Sequence, residues 1–222
     1  MTAPSPAAAL PRAVLFDWDN TLVDSWGTIH HALNVTLTAM GHPTWSMEET
    51  MERVRLSLRD SFPRLFGPRW EEARQLYLDT FQRTHLERLA LLPGAGDLVR
   101  LLADRGVALG VVSNKTGRIL RREAEHLGWT GVFHRLVGAG DAAADKPARE
   151  PVDLALDGTG VAPGEDVWFV GDTAVDVECA LATGCVPLLV GDTPPDSGET
   201  PLLQPRWRFD GCVALFHHVR DL

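Results

Sequence analysis

The sequence predicts an α/β protein built on a doubly wound parallel sheet, with a small helical domain inserted after its first strand. Three observations carry this expectation. From Leu91 onward, short apolar runs bounded by turn residues alternate with helical patterns, as in a parallel sheet covered on both faces. An isolated apolar run, Ala13 to Phe16, stands far upstream of that alternation. Between the two, from about Trp26 to Ala90, helical spacing continues without a strand signal. The core is therefore expected to be discontinuous, residues 1–23 plus 91–222, with the insert at 24–90.

In chain order, Met1 to Pro11 is Ala/Pro-rich with neither a basic start nor a true apolar segment, and reads as a frayed tail rather than a signal peptide. Ala13 to Phe16 is the first strand. Ile29, Leu33, Thr36, Leu37 and Met40 mark a helix stopped by Gly41-His42-Pro43. A second helix begins near Ser46, where Glu48 and Glu49 suit the helix dipole. Arg53, Arg55, Arg59 and Arg64 crowd around Leu56, Leu58, Phe62 and Leu65, and a third helix spans about Trp70 to Leu89. The alternating half then reads helix 96–104, strand 107–112, helix 117–127, a short strand at Leu136-Val137 and a helix from Pro151, proline being a good first helical residue. A strand at 167–170, a helix at 175–182, a strand at 186–190, a short strand at Trp207-Arg208-Phe209 and a final helix complete it.

Composition narrows the function. A net charge of -9 over 222 residues argues against a general nucleic-acid binder and gives no reason to expect an anionic membrane surface as partner. No apolar run approaches the ~20 residues of a membrane span. Cys179, Cys185 and Cys212 are scattered and lack CxxC spacing, so a zinc site is not expected. They read as buried small hydrophobes in a reduced, cytoplasmic protein.

Polar groups gather where the strands end. Asp17-x-Asp19 follows the first strand and Ser113-Asn114-Lys115-Thr116 the second; Asp145-Lys146-Pro147 lies beyond the third, and Gly171-Asp172-Thr173-x-x-Asp176 follows the fourth. Parallel strands present their carboxyl ends on one side, so these groups can converge. Asp17 and Asp19 can both lean toward one site, and two such acids need a cation or a shared proton. Magnesium is the usual cation where phosphate is handled. The plainer alternative is that these acids only end strands and cap helices.

Taken together, the motifs resemble the haloacid dehalogenase superfamily in its phosphatase branch. Asp17-Trp18-Asp19-Asn20-Thr21-Leu22-Val23 looks like its first motif, Ser113 its second, Lys146 its third and Gly171-Asp172-Thr173-Ala174-Val175-Asp176 its fourth. Asp24-Ser25, Lys146-Pro147 leading to Glu150-Pro151, and Ala180 with Gly184 look most like phosphoglycolate phosphatases.

The resemblance implies a Rossmann-like core, a helical cap at 24–90, and a Mg²⁺-dependent phosphomonoester hydrolase working through an aspartyl phosphate. A small metabolite would be the substrate, 2-phosphoglycolate first among them, handled by a monomer or homodimer. Asp17 would be the nucleophile and Asp19 the general acid and base. Mg²⁺ would be held by Asp17, the carbonyl of Asp19 and Asp172, with Asp176 acting directly or through water. Ser113 and the Asn114 backbone N–H would hold a phosphoryl oxygen, Thr21 would help orient the first loop, and Lys146 would supply positive charge and pair with Asp17. Lys115 is read as a solvated surface lysine. Arg55 and Arg59 are candidates to meet a substrate carboxylate, against the alternative of a solvated arginine face. His30, His31 and His42 are expected to pack or to lie at the surface. Asn20 and Arg149 depart from the family pattern, where glycine and proline are frequent; asparagine tolerates a left-handed backbone. Two further readings fit the same residues: a β-phosphoglucomutase-like mutase and a non-enzymatic phospho-acceptor.

Overall fold

Ala13–Phe16 forms β1 with every residue buried, and its side chains divide between the two faces of a sheet. Val14 and Phe16 enter one apolar cluster, Ala13 and Leu15 the other. A computed structural model describes residues 9–54, 56–191 and 204–222. Most of the expected frayed tail, and Arg55, lie outside the described residues.

After β1 the chain passes through β2 (Val23–Asp24) into α1 (Trp26–Ala39), α2 (Met47–Arg53), α3 (Leu58–Phe66), a single 3-10 turn (Gly67–Arg69) and α4 (Trp70–Arg88). It returns through β3 (Ala90–Leu91), which pairs antiparallel with β2. That two-residue ribbon was not expected from the sequence, and neither segment is long enough to carry a periodic signal. Ser46 starts α2 with a reciprocal cap: its hydroxyl accepts from the Glu49 N–H, and the Glu49 carboxylate accepts from the Ser46 N–H. Helices α1, α3 and α4 share an apolar cluster built on Ile29, Leu33, Leu37, Phe62, Tyr77 and Phe81. Burying each of these large side chains contributes roughly 1.5–3 kcal/mol.

The remaining chain alternates α5 (Ala95–Asp104), β4 (Ala108–Thr116), α6 (Gly117–His126), β5 (Arg135–Ala139), α7 (Glu150–Leu156), β6 (Val167–Gly171), α8 (Ala174–Thr183), β7 (Val186–Val190), β8 (Trp207–Phe209) and α9 (Cys212–Arg220). The sheet order is β5-β4-β1-β6-β7-β8, parallel throughout. Helices α5, α6 and α9 supply one apolar cluster and α7 and α8 the other, which is the doubly wound arrangement expected. With β1 between β4 and β6, the carboxyl ends of three adjacent strands point to one place. All three cysteines are buried and free. Among the described residues no helix is long and apolar enough to cross a membrane.

Candidate active site

Three strand ends build the site. The Asp17 N–H donates to the Val170 carbonyl at 2.8 Å, so β1 stays zipped to β6 as far as its first acid. The chain then turns sharply: Leu22 and Val23 N–H groups both donate to the Trp18 carbonyl. Asn20 sits at the bend with φ +59°, the one non-glycine left-handed residue among those described. Its side-chain oxygen accepts from the Ser25 N–H at 3.1 Å, so the asparagine both tolerates the backbone and ties the turn. The turn buries Trp18 on one side and leaves Asp17 and Asp19 facing a cavity.

Asp17, Asp172 and Asp176 are all buried and can each bring a carboxylate oxygen within 4.8 Å of the others. Lys146 sits between them, with Nζ 2.8 Å from Asp17 Oδ1 and 2.6 Å from Asp176 Oδ1. The other Asp176 oxygen accepts from the Thr173 N–H and hydroxyl, so Asp176 closes the first turn of α8 as well as facing the cluster. Gly171 makes that possible, because a Cβ there would run into the Asp176 carboxylate. Thr21, fully buried, donates its hydroxyl to Asp172 Oδ1 at 3.2 Å and so ties the first loop to the end of β6.

The electrostatics follow from burial. Burial pushes the Asp17 carboxyl up from 3.8 to about 6; the attraction of Lys146 opposes the rise, and Asp176 adds to it. Asp172 is pushed well above the usual carboxylate range, first by burial and then by Asp176 and Asp17. Burial would depress the Lys146 ammonium, but Asp17 and Asp176 outweigh it and the net shift is upward. Oxygen-only donors in a buried cluster that retains excess negative charge fit a hard divalent cation such as Mg²⁺, with Asp17, Asp172 and Asp176 the residues that would hold it.

On the opposite flank, β4 runs on to Thr116 rather than stopping at Val112. Ser113 is buried inside this strand, where its oxygen accepts from the Lys115 N–H at 3.2 Å; it caps no helix. The Asn114 side chain donates to the Lys146 carbonyl at 3.2 Å, linking the second and third polar stretches. Lys115 is not a surface lysine. It is buried, with Nζ 2.7 Å from Asp19 Oδ1 and 2.8 Å from Glu123 Oε2, over the face of Phe81. Glu123 in turn accepts from Trp18 Nε1 at 2.7 Å and from His85 Nδ1 at 2.7 Å. Because a carboxylate only accepts, the proton of this His85 bond lies on Nδ1. The sequence analysis missed Glu123 and His85. A signal was available: Glu123 lies on the buried stripe of α6 with Ile119, Leu120 and Ala124, where an acid demands partners.

The Arg59 guanidinium meets buried Asp145 at 2.6 Å, and Asp145 also accepts from the Gly140 N–H. Neighbouring Leu58, with Ile29, Tyr77 and Phe81, forms the apolar wall of the cavity across from Asp17, Asp19, Lys146 and Asp172. The cavity is open, spanning about 800 Å³ with the adjoining solvent included. His30 bonds to Thr50 and Asn34, and His42 packs edge-on against Phe66, so both serve the helical layer.

A profile of the haloacid dehalogenase-like hydrolases matches residues 14–190. The chain belongs to that family. It stands among the family's phosphatases. A phosphoglycolate phosphatase from Chromobacterium violaceum is 29% identical over 81% of this chain and 85% of its own. The pyrophosphatase PpaX from Bacillus pumilus is 28% identical over 95% of this chain and 90% of its own. The crystal structure of CbbY from Rhodobacter sphaeroides in complex with phosphate superposes with a TM-score of 0.80 at 20% identity, covering 96% of this chain and all (100%) of the other, which identifies a shared fold.

Proposed function

We propose that this haloacid dehalogenase-like phosphatase is a Mg²⁺-dependent phosphomonoester hydrolase that forms an aspartyl phosphate on Asp17 and acts on a small metabolite in the cytoplasm. The observation that carries the reading is Asp17 itself, a buried carboxylate beside Lys146, Asp172 and Asp176 at the floor of an open cavity. An Asp17 oxygen attacks phosphorus as the ester P–O bond breaks, and the leaving alkoxide takes a proton from Asp19. Asp19, now anionic, takes a proton from water as that water attacks the phosphorus of the aspartyl phosphate. The Asp17–phosphorus bond breaks, inorganic phosphate departs, and Asp17 and Asp19 are both restored.

Asp17, Asp172 and Asp176 would hold a divalent cation, which would supply the positive charge that an anionic nucleophile needs to approach an anionic ester. Lys146 adds its own charge from the other side of Asp17. The Ser113 hydroxyl and the Asn114 N–H hold a phosphoryl oxygen. Helices α1 to α4 act as a cap that excludes water and meets the leaving group. The names of the relatives make 2-phosphoglycolate the first ester to try.

The test is phosphate release from a panel of small esters including 2-phosphoglycolate, with Mg²⁺ or EDTA, for the parent and Asp17→Asn. Release that requires Mg²⁺ and vanishes in the variant is expected. Equal release by the two proteins, or none from any ester by folded parent, would refute the assignment.

A further inference from the structure

Lys115, Glu123, His85 and Trp18 remain unexplained by the reaction just described. They form one buried cluster that reaches the cavity through Lys115, beside Asp19. Lys115 is 9% exposed and Glu123 is fully buried, so the pair is not a surface ornament. Burying an ammonium and a carboxylate is costly unless both are well paired. Here Glu123 holds Lys115 with both oxygens, at 3.0 and 2.8 Å, and is itself fixed by Trp18 and His85. These braces come from separate elements: Trp18 from the first motif, Lys115 from the end of β4, Glu123 from α6 and His85 from α4 of the helical layer. The same ammonium lies 2.7 Å from Asp19 Oδ1, an ion pair rather than a directed hydrogen bond.

We propose that Lys115 is a positioning residue for Asp19, itself held in place by Glu123, and that His85 ties this pair to the helical layer. The inference rests on the reading of Asp19 as the general acid. A side chain two residues beyond the nucleophile, on a sharp turn, has several staggered orientations open to it. The Lys115 contact selects one of them. Proton delivery needs the donor within hydrogen-bond reach of the leaving oxygen, so a displaced Asp19 slows the step that needs protonation. A poor leaving group, an alkoxide, depends on that proton. A good one, p-nitrophenolate, departs without it.

The experiment compares kcat/KM, which reports the leaving-group step, for 2-phosphoglycolate and p-nitrophenyl phosphate in the parent, Asp19→Asn, Lys115→Met and Glu123→Gln. Asp19→Asn sets the scale, with a loss of about 10²-fold or more on the alkyl ester from the general-acid contribution and a much smaller loss on the aryl ester. Lys115→Met is expected to follow the same pattern, and Glu123→Gln, nearly isosteric, to follow it more weakly. Glu123→Gln carries the test should Lys115→Met fail to fold. Losses of equal size on both esters in the Lys115 and Glu123 variants, with the selective loss kept in Asp19→Asn, would overturn the positioning role alone. An unselective loss in Asp19→Asn would overturn the assignment of Asp19 as acid, and the proposal with it.

Discussion

Replacing Asp17 by Asn should stabilise the cation-free protein at neutral pH, although it removes the carboxylate proposed as nucleophile. The folded pKa of Asp17 lies at about 6 against an ordinary value of 3.8. Between those values the folded state binds more protons than the unfolded chain, so stability from this group is greatest below 3.8 and is lost as pH rises through about 6. The full loss is about 3 kcal/mol. For a chain of this size, each kcal/mol moves Tm by roughly 2–4 °C, so the ceiling is a difference of about 6–12 °C. Asparagine keeps the shape without the charge. In EDTA at pH 7.5, Asp17→Asn should therefore melt above the parent, and the gap should close toward pH 4. Mg²⁺ should raise the parent more than the variant, because the cation compensates a charge that the variant lacks. Calorimetric melts of both proteins across pH, with and without Mg²⁺, check this without reference to activity. A parent more stable than Asp17→Asn at pH 7.5 in EDTA would refute the reasoning, as would equal stabilisation of both by Mg²⁺.

Lys146→Met should cut kcat on p-nitrophenyl phosphate by about 10²–10³-fold, the usual loss for a charge aimed at developing negative charge; steady-state assays of the folded variant check it. Gly171→Ala places a methyl against the Asp176 carboxylate, so it should cost about 1–3 kcal/mol by overpacking and weaken the Mg²⁺-induced rise in Tm. Arg59→Ala removes the guanidinium from buried Asp145 and should cost about 1–3 kcal/mol, read by urea unfolding. A raised KM for 2-phosphoglycolate with unchanged stability would instead place Arg59 on the substrate.

Most of the core was legible because its logic is local. Each parallel strand is a short apolar run with a polar end, and the common direction of the strands brings Asp17, Lys146 and Asp172 together without any knowledge of contacts. The bend at Asn20 was legible for the same reason, since few residues other than glycine accept its φ of +59°. Lys115 was misread because its sequence neighbours, Ser113, Asn114 and Thr116, look like a loop. Its burial depends on Asp19, Glu123 and Phe81, none of which it meets along the chain. The ion pair of Arg59 leaves no local trace either: the helix pattern places it among arginines, and its partner Asp145 lies 86 residues away. Pairings between distant polar groups leave no periodic trace, whereas an acid on an apolar helical stripe, such as Glu123, does leave one.

The two lysines divide the site into halves of different character. Lys115 bridges Asp19 and Glu123, and Lys146 bridges Asp17 and Asp176, so each ammonium serves two carboxylates. The Lys115 half closes on itself: Glu123 collects two more donors from Trp18 and His85, and burial does not prevent its pKa from falling below the ordinary value. The Lys146 half has a third acid, Asp172, which has no ion-pair partner among the described residues and takes a hydrogen bond from Thr21. Like charges no more than 4.8 Å apart, as in this cluster, repel by about 3.5 kcal/mol or more at an effective dielectric constant of about 20. A phosphate ester brought to Asp17 adds to that repulsion. The half that holds Asp17 is thus left short of positive charge, and the half that holds Asp19 is not. This asymmetry fits the proposed roles: a cation would be needed on the Asp172 side, whereas Asp19 already faces a lysine.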